Sequence, residues 1–501
     1  MISGGVDLKA IWGGNQGKEI TSMNIAAIKK NVAVRMNSMS ISTHMRSITR
    51  NITAKKKVIG AILLVVAVFV GGSYLFGIST EKMFRKNMAE ITWHGIKASV
   101  TDYRRGIFSA TARTEWVLAR PGKEPLILSF NHHILHGPFL TPPSTANIRS
   151  ELIPSKELSA LLVDTFGSDP FGGKVPLTIE LALGWGGRNH IHVVFPKFET
   201  PARETKARFS WGGLDGRITV DSNLSKIKAR VVLGGLSMTG SDENQIQMDH
   251  LAFQTDMKKA GDHAFFFVGT SNFTLNKLSR QGADRKHDAS LDVVFEKARG
   301  ETDTTFKDGA LNLKIRLDAD SIIMGDRPKT AIDKPGATFL YENIDAGALE
   351  TFLRAMLSQN GEEDPLLVLQ GQAGALLQRK PAFSIKDVSA SGPEGASSGN
   401  FRFAYTGDGN LDQFSLADIT VDLQFNLPVA PINRLLEEQG SRGYAEEAKK
   451  QIETIDAMIN KGALIEKDGI LSADASLKSG NLSLNGHMES LEILQELLEL
   501  F

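Results

Sequence analysis

The stretch VIGAILLVVAVFVGGSYLF, residues 58–76, separates a basic leader from a long body and decides how the chain is organised. Its 19 residues carry no charge, and a helix of that length spans about 28 Å, close to the hydrocarbon thickness of a bilayer. The stretch therefore predicts a single transmembrane anchor. A buried core helix is one alternative, and the apolar core of a cleaved signal peptide over residues 58–70 is another. The apolar run continues to Phe76 without an Ala-x-Ala motif, which favours a retained anchor.

The charge on either side of this anchor predicts its orientation. Residues 1–80 contain ten lysines and arginines against two acids, a net charge of +8, so the remaining 421 residues carry −8. Three lysines, Lys55 to Lys57, directly precede the apolar run. Because positively charged flanks stay in the cytoplasm, residues 1–57 are predicted to be cytoplasmic and the chain beyond about residue 77 to lie outside. Met45 is an alternative start that would leave a short basic flank before the anchor.

Several kinds of chemistry are excluded by composition. The mildly acidic body argues against nucleic acid as a partner, since phosphate neutralisation requires a basic face. The chain has no cysteine, which excludes lipoprotein attachment, disulfides, zinc–thiolate sites and thiol nucleophiles. The sequence contains neither a Gly-x-Ser-x-Gly elbow nor a phosphate-binding P-loop. We therefore expect no enzymatic activity and no cofactor.

Residues 77–344 predict a β-rich domain. Apolar and polar residues alternate in LTIELALGW (177–185), in KARVVL (228–233) and in LNLKIRLDAD (311–320), and Gly, Asn and Asp separate such segments. About a dozen strands with short turns and no helical pattern between them indicate an antiparallel sheet. A sheet of that size must curl, stack or extend into a curved ribbon. The sequence leaves these three possibilities open.

Residues 345–501 predict an α+β domain, so the fold class is mainly β with α. Apolar residues recur at helical spacing over 349–357 and again over 444–459, with strands between and after them. The segments 376–395 and 458–480 share the order helix, strand, glycine turn, strand, which indicates a weak internal repeat. The apolar terminal helix 491–501 is expected to dock on the body or to pair with a partner.

Histidines form the most conspicuous candidate metal site, in FNHHILHGPF (130–139). On a strand, His132 and His133 point to opposite faces, and His132 lies about 13 Å from His136. Those separations favour an ordinary strand and turn over a metal site. His190 and His192 share a face about 6.6 Å apart, but no third ligand can be named. We therefore assign no metal ligand and no catalytic residue.

Two short segments carry a resemblance to a known family. The first is Tyr103-Arg104-Arg105-Gly106-Ile107-Phe108-Ser109, a short distance beyond the anchor, and the second is His136-Gly137-Pro138-Phe139 downstream. Together with GNLSLNGHM (480–488), they resemble segments of the YdgA-like family of bacterial membrane-anchored proteins of unknown function. The motif residues carried over are Tyr103, Arg105, Gly106, Phe108, Ser109, His136, Gly137 and Pro138. The resemblance implies an inner-membrane protein that faces the periplasm, and it implies a structural or interaction role for these residues.

Two functional classes follow for the exported body. The first is a non-enzymatic binding or scaffolding protein of the cell envelope, acting as a homodimer or with an envelope protein partner. The alternative is a lipid-binding or lipid-transfer module, in which an apolar face of the sheet forms a groove for phospholipid. A third class, a hydrolase, requires that His190 and His192 converge with a carboxylate in a cleft.

Overall fold

The computed structural model describes residues 47–489, apart from 91, 94–95, 121, 138–139, 142, 167–168, 201–207, 241–243, 264, 282–291, 325–329, 358–364, 411–412 and 442–444. The chain divides into two compact units, 1–233 and 234–501, and the division falls inside one strand. The predicted boundary near residue 344 marks instead where further helices enter the sequence, and it remains a prediction. The terminal segment 491–501 lies outside the described residues.

Long antiparallel strands and a few helices make up the described chain, which confirms the predicted fold class. The helices are α1 (Ser47–Ala89), α2 (Lys156–Phe166), α3 (Ala346–Leu357), α4 (Pro365–Gln378), α5 (Val429–Ser441) and α6 (Ala445–Asn460). The strands of the first unit, of which the last crosses the division, are β1 (Thr92–Trp93), β2 (Ile96–Arg105), β3 (Ser109–Arg120), β4 (Lys123–His136), β5 (Ser144–Ile153), β6 (Thr178–Gly184), β7 (Arg188–Phe195), β8 (Phe198–Glu199), β9 (Arg208–Trp211), β10 (Leu214–Asp221) and β11 (Lys226–Thr239).

The second unit is richer in strands. Its strands are β12 (Gln245–Lys259), β13 (Phe267–Gln281), β14 (Val293–Lys307), β15 (Ala310–Asp318), β16 (Ser321–Met324), β17 (Thr330–Asp345), β18 (Ala382–Gly392), β19 (Gly395–Tyr405), β20 (Ile419–Pro428), β21 (Ile465–Lys467), β22 (Ile470–Lys478), β23 (Asn481–Leu484) and β24 (His487–Glu489). The order helix, strand, turn, strand occurs in α4–β18–β19 and again in α6–β21–β22, at the two segments that predicted a repeat.

Unit 1, residues 1–233, is built on an antiparallel meander in which β2 to β7 pair in chain order and β10 then pairs with β7. Residues of one face lie side by side across these strands, and this apolar row is Ala110, Ile134, Ile148, Leu181, Ile191 and Ile218. The C-terminal part of α1 covers this face, where Phe84 packs with the buried members of the row. Cross-strand apolar pairs of this kind stabilise a sheet whose one face is buried.

Unit 2, residues 234–501, repeats this organisation with longer strands. From β15 to β22 one face presents an uninterrupted apolar row, Leu313, Tyr341, Phe383, Phe403, Val421 and Leu477. Helices α5 and α6 cover the β20–β23 end of this unit, where Met458 is fully buried against Leu471 and Leu484. Along the row, Tyr341 and Phe403 remain exposed.

Three helical segments differ from the sequence prediction. Helix α1 runs well beyond residue 76, because residues 77–89 pack against the sheet and continue the helix there. Helix α2 interrupts the region predicted as all-β, and α5 was not predicted. Both missed helices are short and amphipathic, and α2 contains no fully buried residue, so tertiary packing rather than local periodicity decides their conformation.

Candidate functional site

Helix α1 has an exposed segment that is followed by a part docked on the sheet. Residues 63–68 are exposed on all sides, whereas Ser73, Gly77, Thr80 and Phe84 are buried. Their spacing of four, three and four residues defines one face of a helix. The segment Leu63–Ala89 is long and apolar enough to cross a membrane. Among the described residues, α1 is therefore a candidate membrane span that also serves as part of a sheet domain.

His136 contacts the docked face of α1 directly. Its Nδ1–H donates a hydrogen bond of 3.0 Å to the carbonyl oxygen of Ser73, which places the ring proton on Nδ1 when the imidazole is neutral. A Cβ atom on Gly77 would lie 2.6 Å from Cε1 of the same ring. Glycine at position 77 therefore provides the space that His136 occupies. Gly137, at φ +148°, passes next to the Ser73 side chain, in a backbone conformation that glycine adopts without steric cost.

Tyr103 and Arg105 also contact side chains of α1. Nη1 of Arg105 donates to Oε2 of Glu81 at 2.8 Å, and its guanidinium lies 5.1 Å from the ring centroid of Tyr74. The ring of Tyr103 packs 6.0 Å from that of Phe84. Burial, reinforced by the nearby Glu81 carboxylate, raises the pKa of Tyr103 to about 12, so this phenol stays neutral in the folded protein.

The turn between β2 and β3 contacts α1 directly after the exposed residues 63–68. Gly106 donates its N–H to the carbonyl oxygen of Ser109 at 2.7 Å, which closes the turn. The ring of Phe108 lies 5.5 Å from that of Phe69, and its carbonyl oxygen accepts the N–H of His136 at 3.0 Å. The motif residues Tyr103, Arg105, Phe108, His136 and Gly137 thus meet on α1, whereas Pro138 lies outside the described residues.

The partner of this motif was not predicted from the sequence. The docked face consists mainly of small residues, Ser73, Gly77 and Thr80, followed by Phe84. This regular spacing was readable in the sequence, and it continues past the end of the apolar run at residue 76. Small residues at helical spacing allow close approach of another element. We call these four residues and the motif residues around them the helix-docking site.

His132 lies in the same core and is fully partnered. Nε2 is 2.8 Å from Oγ1 of Thr114, and Nδ1 is 2.8 Å from Oγ of Ser150. The rings of Phe84 and Phe130 pack against the imidazole. Burial lowers the pKa of His132 to about 4, so the ring is neutral at physiological pH. His133, as predicted, points to the opposite, exposed face.

The pKa of His132 makes stability depend on pH. Unfolding restores the ordinary pKa of His132, 6.5. Between pH 6.5 and 4 the imidazole is therefore mostly protonated in the unfolded chain and mostly neutral in the folded chain. His132 therefore destabilises the fold progressively as the pH falls through this window, by about 3 kcal/mol at its lower end.

We expect His132→Asn to flatten the fall in unfolding free energy measured between pH 7 and 4. His133→Asn should leave it unchanged, and equal pH profiles for both variants would refute the assignment.

His190 and His192 occupy the solvent-facing side of the sheet. His192 lies between Asp215, at 3.1 Å from Nε2, and Glu180, at 3.7 Å from Nδ1. His190 contacts Thr219 at 3.1 Å. In the part of the chain that the structure describes, no group of three or more His, Asp and Glu side chains has the geometry of a metal site. The side chains of both carboxylates are about half exposed on the strand surface.

A polar depression of about 410 Å³ lies elsewhere on this solvent-facing side. Arg104, Arg113 and Arg149 contribute positive charge to it. Two of them are neutralised locally, because Arg104 pairs with Asp102 at 3.0 Å and Arg149 with Glu151 at 2.8 Å. This balance of charge does not favour an anionic ligand.

An apolar cavity of about 510 Å³ lies on the helix-covered side of the sheet of unit 1. Leu128, Phe130 and His132 occupy every second position of β4 and therefore lie on the same face of the sheet. Because Leu128 lines the cavity, the cavity is on the face that α1 covers. Helix α2 closes one side with Leu158, Leu162 and Phe166, spaced four residues apart. The remaining lining side chains are Leu152, Phe171, Pro176, Leu177, Val193, Phe195, Phe198, Phe209, Trp211 and Leu214. We call this the apolar cavity.

Aromatic contacts hold the walls of the apolar cavity. Phe198 lies 4.9 Å from Phe171 and 5.6 Å from Phe209, and Phe195 lies 5.4 Å from Trp211. Edge-to-face and tilted contacts of this kind stabilise a wall without filling the space in front of it. No charged side chain lines the cavity among the described residues. The sequence indicated an apolar sheet face, but not α2, which turns that face into a cavity.

One comparison with known proteins identifies a family. A family model described as "Bacterial protein of unknown function (DUF945)" matches residues 54–492, which spans the docked part of α1, the apolar cavity and nearly all of unit 2. No curated protein and no solved structure matches the chain. The match covers most of the 501 residues. The chain therefore belongs to this bacterial family of unknown function.

Proposed function

We propose that this protein is a membrane-anchored lipid-binding protein whose apolar cavity holds an acyl chain. The observation that carries the proposal is the lining of that cavity, which is apolar at every position and closed on one side by α2. Its volume of about 510 Å³ lies within the range of small-molecule sites, roughly 300–1,000 Å³. A ligand that fits this lining is an uncharged hydrocarbon chain.

The energetics favour such a ligand. Transfer of apolar surface out of water yields about 25 cal/mol per Å². The lining side chains carry a single hydrogen-bonding group, the buried indole N–H of Trp211, so a polar ligand would be left largely without the partners that it needs when buried. An acyl chain loses no hydrogen bond when it enters. Its polar headgroup would remain at the opening, which accommodates both fatty acids and phospholipids.

The anchor supports the same function by placing the cavity beside a source of lipid. We propose that α1 crosses the inner membrane, with residues 1–57 in the cytoplasm and the body in the periplasm, as in the YdgA-like family that the motif resembles. The support is the +8 charge before the anchor and the lysine triplet at its start. Under this arrangement a ligand extracted from the outer leaflet reaches the cavity without crossing the membrane.

A second candidate function is binding or scaffolding in the cell envelope, through a homodimer or an envelope protein. The observation that favours it is the apolar row of unit 2, in which Tyr341 and Phe403 are exposed. Exposed apolar patches on a sheet mark interaction surfaces. Neither candidate includes a catalytic step or a cofactor.

Site-specific photo-crosslinking tests the lipid-binding proposal in intact cells. A benzophenone amino acid in place of Leu162 points into the apolar cavity, whereas the same residue in place of Leu161 points to solvent, because that side chain is 37% exposed. Irradiation followed by mass spectrometry should reveal a lipid adduct at position 162 and none at position 161. Equal labelling at both positions, a protein adduct at position 162, or no adduct would contradict the proposal.

A further inference from the structure

Part of unit 1 contacts α1 along the same helical turns that would lie inside the membrane. The charge-free run begins after Lys57, and a hydrocarbon core of about 30 Å requires about 20 helical residues. The outer boundary of the hydrocarbon then falls close to Phe76. Of the side chains described before this point, residues 63–68 form the longest exposed run, and Tyr74 and Leu75 are exposed as well. Phe69, Ser73 and Phe76 contact the sheet.

The contacts show how far the sheet reaches down the helix. Phe76 packs 5.3 Å from Trp185 in the turn between β6 and β7. Phe69, seven residues earlier and therefore about 10 Å lower along the axis, packs against Phe108. Between them, the His136 ring bonds to Ser73. A helix that crosses the bilayer in this docked state carries the tip of the β2–β3 hairpin below the lipid surface.

The residues at this end of the sheet suit a hydrocarbon environment. Ile107 is 48% exposed and Phe108 45% exposed at the hairpin tip, although both are large and apolar. The turn at the tip, residues 106–109, and the turn between β6 and β7, residues 184–187, contain no charged residue. Isolated exposed apolar residues are common on protein surfaces, but here they lie next to a helix that is itself exposed and apolar.

Charged residues are found next to the tip, at the end of β2 that adjoins it. Arg105 pairs with Glu81, and Arg104 extends into solvent with 81% of its side chain exposed. Basic side chains at this level can reach lipid phosphates while their apolar stems pack lower down. The vertical order along β2 is therefore apolar tip, arginine belt and polar strand, which matches the order hydrocarbon, headgroup and water.

We propose that the β2–β3 hairpin tip, Gly106 to Phe108, is embedded in the hydrocarbon of the outer leaflet beside α1. Unit 1 is then partly inserted in the membrane through this tip, in addition to being anchored by α1. Burial of the two exposed side chains in lipid favours this position, and the bond from the Gly106 N–H to the Ser109 carbonyl oxygen closes the turn at the tip. The inference rests on α1 crossing the bilayer and is independent of what the apolar cavity binds.

Spin-label depth measurements test this inference on the full chain, which has no native cysteine to remove. The variants Val65→Cys, Ile107→Cys and Lys97→Cys, each at an exposed position, are labelled with a nitroxide and reconstituted into vesicles of phosphatidylethanolamine and phosphatidylglycerol. Collisions with oxygen report lipid, and collisions with a water-soluble nickel chelate report solvent. Val65 fixes the signature of the anchor, and Lys97, eight residues up β2 from Arg105, fixes that of water.

We expect the label at position 107 to collide with oxygen and to lose collisions with the nickel chelate, as at position 65. Nickel collisions at position 107 equal to those at position 97 would overturn the inference while leaving the anchor intact. Low collision rates with both reagents would indicate a protein contact and would also overturn it. A solvent signature at position 65 would remove the anchor itself and the inference with it.

Discussion

Replacing Phe84 with alanine is expected to lower the free energy of unfolding of unit 1 by about 3–5 kcal/mol, the usual cost of removing a buried phenylalanine ring. Phe84 is 5% exposed and contacts the rings of Tyr103 and His132. It is the residue at which α1 enters the core of the sheet. Its loss leaves a cavity between the helix and the strands and frees the docked part of α1.

The matched control for this change is Met83→Ala, one residue earlier on the same helix. Met83 is 38% exposed, so its truncation should change the free energy of unfolding by less than about 0.5 kcal/mol. Denaturant unfolding of the full chain in detergent can be followed by tryptophan fluorescence, to which Trp116, 5.6 Å from Phe130 beside His132, contributes. Similar losses for both variants would show that α1 is not docked as described.

Leu162→Trp is expected to weaken fatty-acid binding by roughly 5- to 150-fold. The larger side chain projects from α2 into the apolar cavity, and forcing extra volume into a packed site costs about 1–3 kcal/mol, of which 1.4 kcal/mol corresponds to a factor of ten in Kd. Because α2 has no fully buried residue, the helix should tolerate the change. Equilibrium binding of tritiated palmitate to the purified full chain measures the effect.

Leu161→Trp is the control for this experiment, because it adds the same ring to the same helix on the side facing solvent. It should bind palmitate with the wild-type Kd. If Leu162→Trp also bound with the wild-type Kd, palmitate would not occupy the apolar cavity. Equal weakening by both variants would indicate a general disturbance of α2 and would count against the proposed site.

The strands were predictable because the alternation of apolar and polar residues within each strand shows which of its faces is buried. In β6 and in β15, apolar and polar residues alternate with the period of a strand that has one covered face, and both lie where the alternation placed them. The opposite orientations of His132 and His133 follow from the same period, and the structure confirms them. Antiparallel pairing of neighbours then follows from short turns.

The helix-docking site and the apolar cavity depend on contacts that local patterns do not record. His136 meets Ser73 across 63 positions of the chain, so the motif could be recognised as a group without showing what it binds. Helix α2 has only Leu158, Leu162 and Phe166 on its inner face, too few to separate it from a loop between strands. Its position over the sheet, not its own propensity, forms the cavity.

The most direct test of the account is the stoichiometry of palmitate on the wild-type full chain, measured by equilibrium binding after removal of co-purified lipid. The account predicts one saturable site per chain, competed by phospholipid and not by a water-soluble short-chain acid. Uptake that rises linearly with palmitate and never saturates would show only partition into detergent, and it would contradict the claim that the apolar cavity binds an acyl chain.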